Sequence, residues 1–568
     1  MNKIASEKKY GMREDRDVMI PMRDGVKVAV DIFRPDAPDP NEKFPALLGM
    51  SPYGKGIQSL TIPAQPAQSP IHHTPIEAGT PEYFASRGYV QIIADVRGSG
   101  HSEGEYLGWV SPQEAQDGYD LIEWIAEQSW CDGNVGMVGI SYFGTIQLLV
   151  AAEQPPHLKA IMPWNAPADF YRESTHHGGI LQSFFHYLYI QRICADNSTS
   201  VTVKNSTPEE LKAIIAEITL DPDIQINPEM FTFADNPGKA PCLFDILANP
   251  NDGPYYWERS PYTMYDKIKI PTYARSGWWA YAHMHLVGAF HNYLGIDAPK
   301  KLEIDAPVVE IRPLPDEYNA EVLRWYDYWL KGMDTGIMDE PPIRFYVNGA
   351  EEWREEHEWP LARTEWTKLY LRRWEGLSLE PEEAMGKPDA FVQQPPDETF
   401  NPNSVQYVTE PLKEALEITG PAAFYFHAEI DQNDATWILS VRDVAPGGKE
   451  VELTKGFLKA SHRKLDAERS KPYEPYHPHL KPEPVTPGEI YEYAVSLAPL
   501  SNVFKRDHRI KLVISSLDHA RARNYELAPE SLGRTHAPWH VTSSKTTLHK
   551  IFHDEAHPSH LLLPIIPT

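Results

Sequence analysis

The sequence predicts a mostly parallel, doubly wound α/β sheet with an inserted helical cap and a C-terminal all-β jelly-roll domain. In the first part of the chain, short apolar runs alternate with amphipathic helical patterns, as in a sheet covered by helices on both faces. Helical patterns joined by polar loops follow. Towards the C-terminus the apolar period becomes two, in short runs separated by turn signals, which is typical of a β-sandwich.

These patterns divide the 568 residues into four segments. A chain of this length exceeds what one core usually holds, so more than one domain is expected. We predict the first part of the sheet domain at 1–165, a helical cap at 166–262, the second part of the sheet domain at 263–355 and the jelly roll at 356–568.

The first elements are a hairpin, further strands and one helix. The hairpin turns at Asp24-Gly25, a residue pair that suits a tight turn. Apolar residues at Tyr119, Ile122 and Ile125 have the spacing of an amphipathic helix over 114–128. The predicted strands cover residues 18–22, 26–33, 44–50, 89–94 and 158–163.

The most informative stretch runs from Val135 to Ala152. A short β-branched run ends in Gly139-Ile140-Ser141-Tyr142-Phe143-Gly144, and an apolar helical pattern follows at once. Strand, sharp turn and helix in this order predict a nucleophile elbow, which exposes the Ser141 hydroxyl beside a helix N-terminus. Glycine at both ends of the motif lets the strand and the helix approach closely.

Further elements complete the two predicted domains. A strand at 268–275 leads through the loop Ser276–His285 into a helix at 286–293, and a strongly patterned helix follows at 319–331. Period-two runs predict the jelly-roll strands, among them 369–371, 423–428, 437–441, 490–495 and 510–514.

Charge and composition exclude several classes of function. With 53 basic and 80 acidic residues the formal net charge is −27, and no basic run interrupts it, so we expect neither nucleic acid nor membrane as a partner. The three cysteines have no metal-ligand or disulfide spacing, and no cofactor motif is present. Without a signal peptide or a long apolar segment, a soluble cytoplasmic protein is expected. A monomer and a homo-oligomer both stay open as predictions.

Several collinear motifs resemble those of the Xaa-Pro dipeptidyl-peptidase and cocaine-esterase group of α/β-hydrolases. The resemblance covers nearly the whole chain and implies a hydrolase sheet, a helical cap and a C-terminal jelly roll. It rests on the motifs MRDGV (22–26), SPYG (51–54), DVRGSGHS (95–102), GISYFG (139–144), RWYDYWLKG (324–332), ITGP (418–421), LKASHR (458–463) and HPSHL (557–561).

The same resemblance implies site residues. Ser141 is the expected nucleophile, and the Tyr53 hydroxyl and the Tyr142 backbone N–H are the expected oxyanion donors. In this family the acid follows a Gly-Trp-aromatic segment, but here Ala280 stands after Gly277-Trp278-Trp279. The family's His follows the next strand, where this chain has residues 305–309 without a His. The sequence therefore predicts an atypical triad with a non-standard base.

Two histidines in the loop after the strand at 268–275 are candidates for that base. His283 and His285 are two residues apart, so on an extended loop they point to opposite sides, and His285 is preferred. Glu303, Asp305 and Glu310 are candidates to orient it, although charged residues at a strand end are commonly only solvated.

Other residues near the site admit two interpretations. Trp278, Trp279 and Tyr281 are candidates for the wall of a hydrophobic substrate pocket. The pair His176-His177 would line that pocket from the cap or lie on the surface. We interpret Asp95 and Arg97 as a structural pair that anchors a turn.

The leading function is a serine-nucleophile acyl hydrolase that acts on a small ester, amide or peptide-like substrate through an acyl-enzyme. A second hypothesis is a biosynthetic enzyme that uses the same site for cyclisation, acyl transfer or elimination. A third is a non-catalytic binding or scaffold protein in which the elbow is retained only as structure.

Overall fold

The computed structural model describes residues 5–60, 76–182, 197–278, 284–306, 316–383, 385–395, 403–517, 540–541 and 543–567. Within these ranges the chain forms two large sheets with helices around the first. The predicted fold class is confirmed.

The first sheet has ten strands, and its central part is parallel as predicted. Their order is β1-β2-β4-β3-β5-β6-β9-β10-β11-β12, with antiparallel pairs at both edges. The strands are β1 (Gly11–Pro21), β2 (Lys27–Asp36), β3 (Phe44–Ser51), β4 (Val90–Asp95), β5 (Cys131–Met137), β6 (Leu158–Ile161), β9 (Thr272–Gly277), β10 (Lys300–Asp305), β11 (Ile343–Val347) and β12 (Glu352–Glu356); a small separate pair is β7 (His176–His177) and β8 (Ile180–Leu181).

Helices cover both faces of this sheet because successive strand residues point to opposite sides. Leu48 in β3 belongs to the apolar core that also holds Leu121 and Ile146, whereas its neighbour Leu47 packs with Leu323 on the other face. The helices are α1 (Lys55–Gln58), α2 (Pro81–Ala85), α3 (Pro112–Ala126), α4 (Tyr142–Ala152), α5 (Val201–Asn205), α6 (Pro208–Leu220), α7 (Pro222–Gln225), α8 (Pro228–Asp235), α9 (Pro241–Ala248), α10 (Pro254–Trp257), α11 (Leu286–Gly295) and α12 (Asp316–Lys331).

Between β6 and β9 the chain is mainly helical, as the sequence predicts. A π-helical turn at Phe170–Thr175 precedes the β7–β8 hairpin, and α5 to α10 follow it. The hairpin is a feature that sequence periodicity missed, because each of its strands is only two residues long.

The second sheet closes into a barrel-like jelly roll. Strand β17 pairs with both β20 and β23, and β23 also pairs with β13, so the order returns on itself. Its apolar core includes Phe424, Trp437 and Leu561. The strands are β13 (Glu365–Arg372), β14 (Gly376–Ser378), β15 (Asp389–Gln393), β16 (Ser404–Val408), β17 (Leu416–Ile430), β18 (Thr436–Val444), β19 (Glu450–Lys459), β20 (Ile490–Phe504), β21 (Arg509–Ser515), β22 (Thr547–Phe552) and β23 (His560–Ile566).

In the described part of the chain, no helix has the length and apolar character needed to cross a membrane.

Candidate active site

Ser141 lies on a strained turn between β5 and α4. Its φ of 60° and ψ of −112° are unusual for a non-glycine residue, and such conformations persist only where the surroundings impose them. Gly139 has a φ of 129°. A Cβ on Gly144 would lie 2.5 Å from the Trp164 carbonyl oxygen, so only glycine fits where α4 passes this backbone. The local geometry is that of the predicted nucleophile elbow.

The structure places His285 against this serine. The Ser141 Oγ lies 3.1 Å from the His285 Nε2, and both side chains are buried, at 6% and 4% exposure. This distance is within hydrogen-bond range, as required of a nucleophile and its base. Of the two candidate histidines, His283 lies outside the described residues.

The approach of His285 follows from the strand order. The loop after β9 and the turn after β5 both leave the carboxyl edge of the same parallel sheet, where α/β proteins collect side chains for chemistry. His285 stands directly before the first residue of α11. Its carbonyl oxygen accepts a hydrogen bond of 3.3 Å from the Ser276 hydroxyl, which ties the end of the loop to β9.

Tyr53 lies beside the elbow. It follows β3, is buried, and its ring meets the rings of Tyr142 and Phe143 edge-on at centroid distances of 5.8 and 5.9 Å. Tyr142 is the first residue of α4, and the N–H of a first-turn residue has no acceptor within its own helix. Tyr53 and Tyr142, which carry the two predicted oxyanion donors, therefore lie side by side in one aromatic cluster.

Asp95 anchors the turn that carries Tyr53. Its carboxylate accepts hydrogen bonds from the backbone N–H groups of Lys55 at 2.7 Å and His101 at 3.0 Å. The prediction that Asp95 and Arg97 pair with each other is wrong, because Arg97 binds Asp117 at 2.6 Å. Asp95 nevertheless has a structural role, since it joins the loops after β3 and β4.

The Tyr142 side chain points to Glu114, a residue that sequence analysis did not single out. The Tyr142 hydroxyl donates to the Glu114 carboxylate over 2.5 Å. Burial raises the pKa of Glu114 to about 7, against the hydrogen bonds from Tyr142 and Ser111 that favour the ionised form. The signal for this residue was the spacing Ser111-x-x-Glu114, which is a capping box at the start of α3.

A stacked pair of aromatic rings also packs beside Tyr142. The Trp109 ring lies edge-on to Tyr142 at 4.9 Å and stacks on Phe170 at 5.9 Å. No periodic pattern in the sequence indicates Trp109, because this residue belongs to a loop. These two rings belong to the buried core that packs against the Tyr142 side chain.

Trp278 occupies a different environment from the one predicted. Its indole N–H donates to the Tyr346 carbonyl at 2.6 Å, and its ring packs with Phe290 and Phe345 in a buried core. This position corrects its assignment to the pocket wall, since the ring fills space between β9, β11 and α11. The other two predicted wall residues, Trp279 and Tyr281, lie outside the described residues.

The acidic candidates near the site bind a buried arginine. Arg275 pairs with Glu303 and lies 3.5 Å from Asp305, while its guanidinium also covers the Trp164 ring at 4.2 Å. Burial raises the pKa of Asp305 to about 6. The contacts therefore assign Glu303 and Asp305 to an ion-pair group at the ends of β9 and β10; Glu310 lies outside the described residues.

His176 and His177 are buried, so their predicted surface position is wrong. The His177 ring lies 3.0 Å from a ring nitrogen of His540 in the C-terminal domain, and the His176 ring stacks on Tyr171. Their burial results from the docking of the β7–β8 hairpin on the jelly roll. Within the described ranges, no group of three or more potential ligand residues is arranged to hold a metal ion.

Comparisons with known proteins agree with this architecture. Residues 24–306 match the family model of X-Pro dipeptidyl-peptidase (S15 family), and residues 335–562 match that of the X-Pro dipeptidyl-peptidase C-terminal non-catalytic domain. The cocaine esterase of Rhodococcus sp. (strain MB1 Bresler) is 27% identical over 97% of this chain and 98% of its own length. A putative Xaa-Pro dipeptidyl-peptidase of Bacillus cereus is 23% identical over 90% of this chain and 85% of its own.

Solved structures show the same fold over the whole chain. A CocE/NonD family hydrolase from Staphylococcus aureus superposes with a TM-score of 0.78 at 24% identity, covering 98% of this chain and 94% of that one. An α-amino acid ester hydrolase superposes with a TM-score of 0.75 at 20% identity. With both family models matched in order along the sequence, the chain belongs to the X-Pro dipeptidyl-peptidase (S15) family of hydrolases.

Proposed function

We propose that this protein is a serine-nucleophile acyl hydrolase that uses His285 as its general base. The observation that carries the proposal is the 3.1 Å contact between the Ser141 Oγ and the His285 Nε2 on a strained elbow. A serine hydroxyl is a weak nucleophile unless a positioned base takes its proton, and this geometry supplies one. His285 follows β9, whereas the family's usual base follows the next strand of the sheet, so the base is non-standard in its position.

The reaction would proceed in two steps on these groups. Ser141 attacks the substrate carbonyl carbon while its proton passes to the His285 Nε2. The carbonyl oxygen becomes an oxyanion held by the Tyr53 hydroxyl and the Tyr142 N–H. Collapse of the tetrahedral adduct expels the alcohol or amine, which takes the proton from His285. Water then attacks the acyl-enzyme in the same way, releasing the acid and Ser141.

The oxyanion donors contribute more than hydrogen bonds in water would, because the site is buried. A preorganised donor in a dry site is worth roughly 2.7–4 kcal/mol of transition-state stabilisation. Tyr53 is buried and Tyr142 is fully buried, so both are held in place before substrate arrives.

Labelling with a fluorophosphonate probe tests the proposal directly. We expect a mass adduct on Ser141 in the wild type, none in Ser141→Ala, and labelling slowed at least about 100-fold in His285→Gln, because the base is lost. His157→Gln is the matched control, since this partly exposed residue pairs with Glu123 near the start of β6 and should label normally.

The same variants are then assayed with p-nitrophenyl esters and with an Xaa-Pro p-nitroanilide. Hydrolysis of an ester or an anilide that depends on Ser141 supports an acyl hydrolase and distinguishes the two substrate classes. A folded wild type that takes no label and hydrolyses neither compound contradicts the proposal and favours the biosynthetic or scaffold hypotheses. Unchanged labelling in His285→Gln removes His285 as the base.

A further inference from the structure

The Tyr142 hydroxyl is the centre of a buried hydrogen-bond group behind the elbow. It donates to the Glu114 carboxylate and lies 3.1 Å from the Val110 backbone N–H and 3.2 Å from the Tyr106 hydroxyl. A tyrosine hydroxyl has one proton and two acceptor positions. Because it donates its proton to Glu114, it accepts from the Val110 N–H and the Tyr106 hydroxyl, so its donor position and both acceptor positions are occupied.

Glu114 is itself fixed from the other side. Its second carboxylate oxygen accepts from the Ser111 N–H at 3.0 Å and from the Ser111 hydroxyl at 3.1 Å, at the first turn of α3. Glu114, Ser111 and Tyr142 are all buried. The tyrosine hydroxyl is therefore bound to a group that cannot move without breaking the start of a helix.

Val110 carries backbone strain at this point. Its φ is 37°, a conformation that a β-branched residue adopts only when its surroundings impose it. In this conformation its N–H points at the Tyr142 hydroxyl. The preceding residue, Trp109, presents its ring edge-on to the Tyr142 ring. The loop is thus held in a strained form that contacts Tyr142 twice.

We propose that Glu114 and the strained Val110 backbone are positioning groups for Tyr142, and that they fix the Tyr142 N–H as an oxyanion donor. The inference rests on the proposed function and adds residues that do not contact the substrate. Tyr142 directly follows Ser141, whose own N–H is held by the Trp164 carbonyl at 2.8 Å. With its side chain anchored at the far end, the Tyr142 peptide group cannot rotate away from the reacting carbonyl.

The expected consequence is a defect in kcat and not in substrate binding. An oxyanion donor acts only in the transition state, and small displacements of such groups cost about 10- to 100-fold in rate. Tyr142→Phe removes the hydroxyl and keeps the ring. With p-nitrophenyl esters we expect kcat to fall by about 10- to 100-fold with KM within about twofold, and the affinity for a boronic acid that mimics the tetrahedral adduct to fall by the same factor as kcat.

Tyr89→Phe is the matched control. The Tyr89 hydroxyl donates to the buried Asp327 at 2.7 Å, so this variant also breaks a buried tyrosine–carboxylate bond, but one on the other face of the sheet. We expect it to lower Tm while kcat and boronic acid affinity stay at wild-type values. A loss of kcat in Tyr89→Phe equal to that in Tyr142→Phe would overturn the positioning role, because any buried hydroxyl would then have the same effect.

Hydrogen–deuterium exchange of the peptide containing residues 140–146 gives a readout that does not need activity. Faster exchange in Tyr142→Phe than in wild type and Tyr89→Phe is expected. Unchanged exchange, or wild-type kcat in folded Tyr142→Phe, overturns the proposal. If Tyr142→Phe does not fold, Glu114→Gln takes its place with the same expectations. An inactive wild type with no label on Ser141 would defeat the proposed function, and the exchange result would still decide whether Tyr142 is anchored.

Discussion

Gly144 shows how closely one residue controls the geometry of the elbow. A Cβ at this position would lie 2.5 Å from the Trp164 carbonyl oxygen and 3.0 Å from its backbone nitrogen, and neither backbone atom can move aside as a flexible side chain would. The same Trp164 carbonyl accepts from the Ser141 N–H. A side chain at 144 would therefore press on the carbonyl group that holds the Ser141 backbone.

Gly144→Ala is expected to destabilise the protein by about 1–3 kcal/mol, as overpacking of a tight core does, and to slow fluorophosphonate labelling of Ser141. Urea unfolding and labelling rates measure the two effects. Gly447→Ala is the control, since a Cβ there meets no atom within 4 Å and is expected to change neither quantity. Wild-type stability in Gly144→Ala would show that the helix can shift to make room.

Helix α3 is an element whose start is part of the site. It begins with the Ser111–Glu114 capping box, and the same Glu114 carboxylate binds Tyr142, the residue after Ser141. Helix α6 begins with an equivalent box, Thr207–Glu210, but on an exposed surface. Each box supplies partners for N–H groups at the start of its own helix. The two boxes differ in the further contacts of their glutamates.

These two caps make a matched comparison. Loss of an N-cap hydroxyl typically costs about 1 kcal/mol. We expect Ser111→Ala to cost at least that amount and to reduce kcat, because the Glu114 carboxylate loses a buried partner on the side opposite Tyr142. Thr207→Ala is expected to cost no more than about 1 kcal/mol and to leave kcat unchanged. Chemical unfolding and ester hydrolysis measure both variants, and equal effects on kcat would argue against a link between α3 and the site.

At the scale of the whole molecule, the sheet domain, the cap and the jelly roll meet at one histidine. His291 on α11 binds Glu173 of the cap segment at 2.8 Å and Glu474 of the C-terminal domain at 3.2 Å. Burial alone would lower the pKa of His291, but the hydrogen bonds to both carboxylates raise it to about 10. Burial would raise the pKa of Glu474, and the bond from His291 lowers it to about 2.

Arg172 of the cap segment reinforces the same junction. Its guanidinium binds Asp169 and Asp252 at 2.7 and 2.8 Å and donates to the carbonyl oxygens of His477 and Pro478. Gly178, at the tip of the β7–β8 hairpin, accepts from the Lys459 N–H at 2.8 Å. These polar contacts hold the cap against the jelly roll.

The junction should make stability depend on pH in a defined window. A raised histidine pKa stabilises the fold below the unfolded value of 6.5, and this contribution disappears as the pH rises through about 10. The lowered pKa of Glu474 contributes above the unfolded value of 4.5 and is lost as the pH falls through about 2. We expect the stability difference between wild type and His291→Gln to be largest between pH 4.5 and 6.5 and to shrink towards pH 10, measured by chemical unfolding.

His157→Gln serves as the control, because the His157 side chain is about as exposed as that of His291 but binds a single carboxylate, Glu123, which is more exposed than Glu173. A single partly exposed ion pair contributes little, so a smaller difference from wild type than for His291→Gln is expected at every pH. A difference for His291→Gln that does not vary between pH 6 and 10 would show that the imidazole contributes by packing and not by charge.

Much of this protein is determined by sequence alone. Periodicity and turn residues gave the α/β sheet, the helical segment and the all-β domain, because these features depend on neighbours within a few residues. The motif from Gly139 to Gly144 is also local and indicated Ser141, whereas the roles of Tyr53 and Tyr142 were implied by the resemblance to a known family. The prediction that Trp278 lines the pocket was wrong because an aromatic residue in a loop shows the same sequence pattern whether its side chain faces a ligand or a packed core.

Only the tertiary structure decided which side chains meet. His285 reaches Ser141 across 144 positions of sequence because β9 and β5 end at the same edge of the sheet, a contact that the sequence-based preference for His285 over His283 could not establish. The contacts of Glu114 with Tyr142 and of His291 with Glu474 likewise join residues from separate elements. Hydrogen bonds form over about 3 Å, so they depend on the exact path of each loop, which periodicity and spacing do not encode.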